Sequence, residues 1–199
     1  MRHLAQGVDR FQRKVFPAKA GLFTHLATTH QPGTMFISCS DARVVPELIT
    51  QADPGELFVV RTAGNLVPAY TSSADGVTAS IEYAIVVLGV KDIIVCGHSA
   101  CGAMTALAEG HDLTSTPAIA GWLRHATAAQ DLTEPAESGQ KVATLVRENV
   151  AAQLANLATH PSAARALAED GLRMHGWIFD IPTGTVEELD TGTHPALAA

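Results

Sequence analysis

Five residues have the types and spacing to do chemistry at a metal ion. Cys39, Asp41 and Arg43 lie together in CSDAR, and His98 and Cys101 lie in GHSAC, His98 fifty-nine residues after Cys39. Two thiolates and one imidazole suit Zn²⁺, a borderline-soft cation that takes tetrahedral sulfur and nitrogen ligands. Three protein ligands leave one position open, the pattern of a catalytic zinc. Zinc with two thiolates is formally neutral and acidifies water less than an all-histidine site, so such a centre needs support from the groups around it. Asp41 and Arg43 can supply that support. A bidentate arginine keeps a carboxylate ionised and oriented, ready to accept a hydrogen bond from water in the open position. An Asp–Arg pair is often only an ion pair at a helix start; beside Cys39 that is the weaker reading. The third cysteine, Cys96, falls one residue inside a strand before Gly97 and reads as a small core hydrophobe. As a fourth ligand it would close the site and make it structural.

These residues must be brought together by the elements before them. TMFIS (34–38), ELFVVR (56–61) and DIIVC (92–96) read as short buried strands. Between and after them come a helix opened by Pro46, a buried helix over 77–89 ended by Gly89, and helices over 103–109, 117–128 and 140–158. In the last, Val142, Leu145, Val146, Val150, Leu154 and Leu157 form an apolar stripe. Residues 62–76 form a long loop of the kind that is often functional, and TEPAESG (133–139) a surface loop. RMHGWIFDI (173–181) and TVEEL (185–189) read as a hairpin. At the N-terminus, 2–15 and 18–29 read as two helices broken at Pro17, with Leu4, Val8, Phe11 and Val15 spaced to pack on something. The fold class is α/β: a mainly parallel sheet with a C-terminal edge hairpin, flanking helices and an N-terminal helical arm (1–30), in one domain spanning 1–199. Both motifs then sit at carboxyl ends of parallel strands. If the first and third strands flank the crevice where strand order reverses, the ligands can meet.

The totals narrow the function classes. A chain of 199 residues, 47% hydrophobic and 17% charged, is globular and long enough for a full core. A net charge of −7 without a Lys/Arg cluster argues against a nucleic-acid surface. No apolar run is long enough to span a membrane. The N-terminus lacks the apolar core of a secretory signal. Its basic residues, set against Asp9 alone, faintly resemble a mitochondrial presequence, but the helical spacing favours packing. Three cysteines fit metal or catalytic use in a reducing compartment, hence a cytoplasmic enzyme, better than a disulfide framework.

The pattern Cys-x-Asp-x-Arg followed by His-x-x-Cys resembles the β-class carbonic anhydrases. The likeness extends through GELFVVRTAGN, SIEYA, GHSACGA, VRENVAAQLANLATHP and LRMHGWIFDI, nearly the whole chain. It is greatest for the bacterial branch encoded with cyanate-degrading enzymes. The resemblance implies one Zn²⁺ per subunit on Cys39, His98 and Cys101, and reversible hydration of CO2 to bicarbonate and a proton by zinc-bound hydroxide. It implies that Asp41 orients the hydroxide and Arg43 holds Asp41. It places Phe58, Ala63 and Tyr83 in the CO2 pocket, partly from a neighbouring subunit, and the Gly102 backbone at substrate oxygen. A homodimer or larger homo-oligomer follows, with neither nucleic acid nor membrane as partner. The chain departs from the family in three places. Ala42 replaces a serine. His30, with Gln31 next, stands where many members place a substrate-contacting glutamine. Phe36 and Phe179 stand where one subgroup has the Trp and Tyr that join Arg61 in holding a regulatory bicarbonate, so no such inhibitory site is expected. In some members the aspartate leaves its arginine and takes the fourth metal position, a swap favoured at low pH. Two other activities fit the motifs: carbonyl sulfide or carbon disulfide hydrolysis on the same fold, and a non-catalytic zinc or thiol-redox module.

Overall fold

Four parallel strands and one antiparallel edge strand form the centre of the computed structural model, which describes residues 1–73, 75–126, 129 and 138–190. They are β1 (Thr34–Cys39), β2 (Leu57–Thr62), β3 (Asp92–His98), β4 (Arg173–Phe179) and β5 (Val186–Glu188), in the order β2-β1-β3-β4-β5. Past Thr34, β1 is wholly buried. That explains its continuous apolar run: a strand covered on both faces has no solvent side on which to alternate. From β1 the chain steps outward to β2, then returns past β1 to β3. Strand order therefore reverses between β1 and β3, and both motifs leave the sheet there. The hairpin forms as expected: β4 joins β3 in parallel and β5 turns back along β4.

Among the described residues, the α-helices of this unit are α3 (Pro46–Thr50), α4 (Gly76–Glu82), α5 (Gly102–Ala108), α6 (Pro117–Leu123), α7 (Ser138–Ala158) and α8 (Pro161–Glu169). Asp75 starts α4 by accepting the Val77 and Thr78 N–H groups at 2.7 and 3.0 Å. The helix runs on as a wide π-turn, Tyr83–Leu88, and Gly89, in the left-handed region, stops it. The expected buried helix is buried on one face only. Ile81, Ala84 and Ile85 are in the core, while Tyr83, Val86 and Val87 are exposed; one sheet face cannot cover an element that is apolar all round. Of the surface loop expected over 133–139, residues 133–137 lie outside the described residues, as do 127 and 128 of the helix expected over 117–128.

Helix α7 seats on β3 and β4 through Val150, Leu154 and Leu157, which pack with Met35, Ile37, Ile93 and Val95. Two glycines make the seat. A Cβ at Gly97 would lie 2.8 Å from Val150 Cγ2, and one at Gly176 would lie 3.0 Å from Val150 Cγ1. The valine occupies the space that both missing side chains leave.

Residues Met1–Gln31 form a separate compact unit. The expected break at Pro17 is absent. Helix α1 (Arg2–Arg10) passes through a π-turn, Phe11–Val15, into helix α2 (Phe16–Leu26). The Phe16 N–H reaches back five residues to the Phe11 carbonyl, and Pro17 falls in the first turn of the following helix. A wide turn followed by a first-turn proline avoids the clash and lost bond of a mid-helix proline. The Phe11, Phe16 and Phe23 rings pack with centroids 5.5–6.2 Å apart.

Candidate metal centre

Cys39 ends β1, His98 ends β3, and Cys101 follows three residues on, immediately before α5. Their ligand atoms all lie within 4.8 Å of one another and all three residues are buried. His98 Nδ1 is 2.9 Å from the Ser99 carbonyl oxygen and so carries the ring proton. That leaves the Nε2 lone pair facing the sulfurs, in a buried position with no hydrogen-bond partner among the described residues. The Cys39 thiol is pushed down to about 4, chiefly by the hydrogen bond from Cys101; burial opposes this, and His98 and the Asp41 and Gly64 N–H groups assist. Cys101 is pushed upward as the partner that keeps the proton, with burial adding to the effect. One ready thiolate, a second thiol and an imidazole of fixed tautomer make a donor set that fits a borderline-soft divalent ion.

Asp41 stands beside this group, its Oδ2 3.9 Å from His98 Nε2. Oδ1 accepts the Arg43 backbone N–H and Nε–H, both at 2.9 Å, and Oδ2 accepts Nη2–H at 2.7 Å. The Arg43 hydrogen bonds hold this carboxyl far below the usual carboxylate range. Arg43 Nη2 also donates to the Ala100 carbonyl at 3.1 Å, tying the first motif to the second. Ala100 has φ 52°, left-handed and costly for a residue with a Cβ.

Sequence reasoning missed two supports. Arg61 donates to the carbonyls of Cys39, Asp41 and Val44 at 3.1, 2.6 and 2.7 Å, clamping the loop that carries the motif. The second is a buried ladder on α7. Asn149 Nδ2 donates to the Gly64 carbonyl at 3.0 Å, and Gln153 Nε2 donates to Asn149 Oδ1 at 3.0 Å. Gln153 Oε1 accepts the Val67 N–H at 2.8 Å, and Asn156 Nδ2 donates to the Val67 carbonyl at 2.9 Å. These amides pin the start of the 62–76 loop, where Gly64, at φ 72°, aims its N–H at Cys39 Sγ, 3.4 Å away. The available signal was the polar run at 149, 153 and 156 along an otherwise apolar helix face.

The other candidates fall in different places. Ala63 lies beside the metal group, directly after Thr62, the β2 partner of Cys39. Gly102 opens α5. Phe58 and Tyr83 meet each other, centroids 6.0 Å apart, but Phe58 pairs with Met35, roughly 13 Å back along the strand from the level of Cys39. The sheet unit does not bring them to its own metal group. His30 and Gln31 belong to the Met1–Gln31 unit. Cys96 packs with Phe36 and Ile94 in a separate core cluster, its thiol pushed up to about 12 by burial, and is not part of the ligand group.

A carbonic anhydrase family model matches residues 34–186. A carbonic anhydrase of Pseudomonas aeruginosa is 54% identical over 193 residues, covering 96% of this chain and 88% of the relative. Among solved structures, the β-carbonic anhydrase CcaA superposes with a TM-score of 0.90 at 39% identity, covering 96% of this chain and 87% of that one. One of two tetrameric β-carbonic anhydrases from Sordaria macrospora superposes with a TM-score of 0.80 at 31% identity, covering 95% and 96%. No helix among the described residues is long and apolar enough to cross a membrane.

Proposed function

This chain belongs to the carbonic anhydrase family, and from that premise we propose a zinc enzyme whose Cys39, His98 and Cys101 hold the metal and whose Asp41 and Arg43 orient the reacting water. The activity is the reversible hydration of CO2 to bicarbonate and a proton. Zinc, when bound, lowers the pKa of a water molecule so that it serves as a nucleophile near neutral pH. The observation that carries the reading is the position of Asp41, 3.9 Å from His98 Nε2 and held on both oxygens by Arg43. An ionised carboxylate fixed there accepts a hydrogen bond from the reacting water and holds its lone pair toward CO2. A purely structural metal site has no use for such a pair. With a metal held by Cys39, His98 and Cys101, the Asp41 carboxylate would be the group beside it able to replace water at low pH, by giving up Arg43.

Ala63 and the Gly102 backbone line the CO2 site of their own subunit. Phe58 and Tyr83, set far back along the strand, line that of a neighbouring subunit, and His30 or Gln31 supplies the substrate contact made elsewhere by glutamine. A homo-oligomer is therefore the working form. Exposed Leu4, Val8, Phe11 and Val15 on the arm, exposed Tyr83, Val86 and Val87 on the sheet unit, and the tetrameric Sordaria relatives support this. The arm and sheet unit form one catalytic domain of the cyanate-associated branch, acting in the cytoplasm.

Stopped-flow CO2 hydration with zinc content, measured on wild type and Asp41→Asn, tests the proposal. One zinc per chain in both, with kcat/KM lowered about 10–100-fold in the variant, is the expected result. Full zinc without hydration by the wild type at alkaline pH defeats it.

A further inference from the structure

The peptide group joining Ala63 to Gly64 is held at both ends. Its N–H points at Cys39 Sγ, 3.4 Å away. Its carbonyl accepts the indole N–H of Trp122 at 2.9 Å. The next carbonyl along, that of Gly64, accepts Asn149 Nδ2, whose amide is oriented in turn by Gln153. Nothing in the chemistry of the 3₁₀ turn Ala63–Asn65 requires an indole on α6 and an amide on α7, fifty-nine and eighty-five residues away, to grip successive carbonyls.

We infer that Trp122 is a positioning residue for the metal thiolate: its N–H polarises the 63–64 peptide and aims that peptide's N–H at Cys39 Sγ. The physics is that of a hydrogen-bonded chain. A donor placed on a peptide oxygen withdraws density and strengthens the hydrogen bond given by the same peptide's nitrogen. An N–H bond to a ligating thiolate draws charge from the sulfur, and the metal becomes a stronger Lewis acid. This matters most in a centre with two thiolates, where zinc starts formally neutral. The backbone leaves little freedom to lose the contact: a Cβ on Gly64 would lie 3.0 Å from Ala103 Cβ and 3.2 Å from Met104 Cε. Asn149 fixes the following peptide, so the turn cannot rotate away from the sulfur without breaking a buried amide contact.

The inference rests on the metal centre proposed above, and its test separates the two. Cadmium-113 is loaded into the full-length protein and coupling to amide protons is recorded. Binding at one per chain with a shift typical of two sulfurs and one nitrogen, and a coupling to the Gly64 amide through the N–H···S bond, is the expected result. Cadmium bound in that way without coupling at Gly64 overturns this inference alone; cadmium that fails to bind overturns the centre itself. Trp122→Phe then removes the N–H and keeps an aromatic ring. In the cobalt-loaded variant the sulfur-to-metal charge-transfer band is expected to move to lower energy. In the zinc form, kcat/KM at pH 7 is expected to fall about two- to threefold, with its acid limb moved to higher pH. A folded variant with lowered thermal stability but an unmoved band and pH profile shows Trp122 to be structural only and overturns the assignment.

Discussion

Substituting Gly97 by alanine should unseat α7 from the sheet, and the structure sets how far. The new Cβ would meet Val150 Cγ2 at 2.8 Å and Val146 Cγ1 at 3.1 Å, against an optimal carbon–carbon separation of about 3.5–4.0 Å. Relief requires the helix to back away by more than half an ångström, or Val150, wholly buried, to leave its rotamer. Overpacking of this kind costs about 1–3 kcal/mol, reduced by the roughly 0.5–1 kcal/mol that alanine gains over glycine in an element interior. The net expectation is about 1–2 kcal/mol, or some 2–8 °C in Tm for a chain of this size. Val150→Ala alone should cost about 2–3 kcal/mol for two buried methyl groups and the cavity they leave. The double variant is decisive. If the clash is with Val150, the combined loss is smaller than the sum by at least about 1 kcal/mol in urea unfolding. Additivity within about 0.5 kcal/mol refutes the steric account. Asn149 adjoins Val150, so the displaced helix should also loosen its hold on Gly64, and kcat/KM should fall with stability in Gly97→Ala and partly recover in the double variant.

Cys96→Val should keep one metal per chain by atomic absorption, whereas Cys101→Ser should lose most of it; metal loss in the Cys96 variant would place that thiol in the ligand shell. Bicarbonate should inhibit only as a product, because the Arg61 guanidinium is held by three backbone carbonyls; strong cooperative inhibition, with the anion beside Arg61, contradicts this. His175 lies between Glu188 and Asp92 at 2.8 and 3.0 Å. Burial opposes its charge, but these two hydrogen bonds outweigh burial and raise its pKa. A raised histidine contributes stability that is complete below the unfolded value near 6.5 and lost as pH rises through the folded value. His175→Gln should therefore be less stable than wild type by under about 1 kcal/mol near pH 6, with the gap closing in alkaline buffer; a gap that widens with pH reverses the sign.

What the sequence made legible was local. Each parallel strand is a short apolar run, and each motif follows such a run, so strand ends and ligands could be read together. Cys96 could be set aside by counting residues along its strand. Contacts with no local signature were lost. Pro17 reads as a helix breaker, yet a wide turn one residue earlier absorbs it. The apolar 77–89 segment reads as buried, although Val86 and Val87 face outward in the chain alone. The 62–76 segment reads as loop, although Leu66 and Val67 are wholly buried and Val67 is gripped at both its N–H and carbonyl by α7, 86 and 89 residues away. Pairings at that separation are decided by packing, which a single sequence does not display.

The amide ladder on α7 bears on how such a centre can be moved to another protein. Grafting CSDAR and GHSAC onto any pair of neighbouring parallel strands would reproduce the three ligands and the Asp–Arg pair. It would leave Gly64, and hence the N–H aimed at Cys39 sulfur, with nothing to hold it. The smallest portable unit therefore includes the 63–70 segment and the polar face of a helix encoded some eighty residues downstream. A designer who transfers fewer parts should obtain a site that binds metal and turns over poorly.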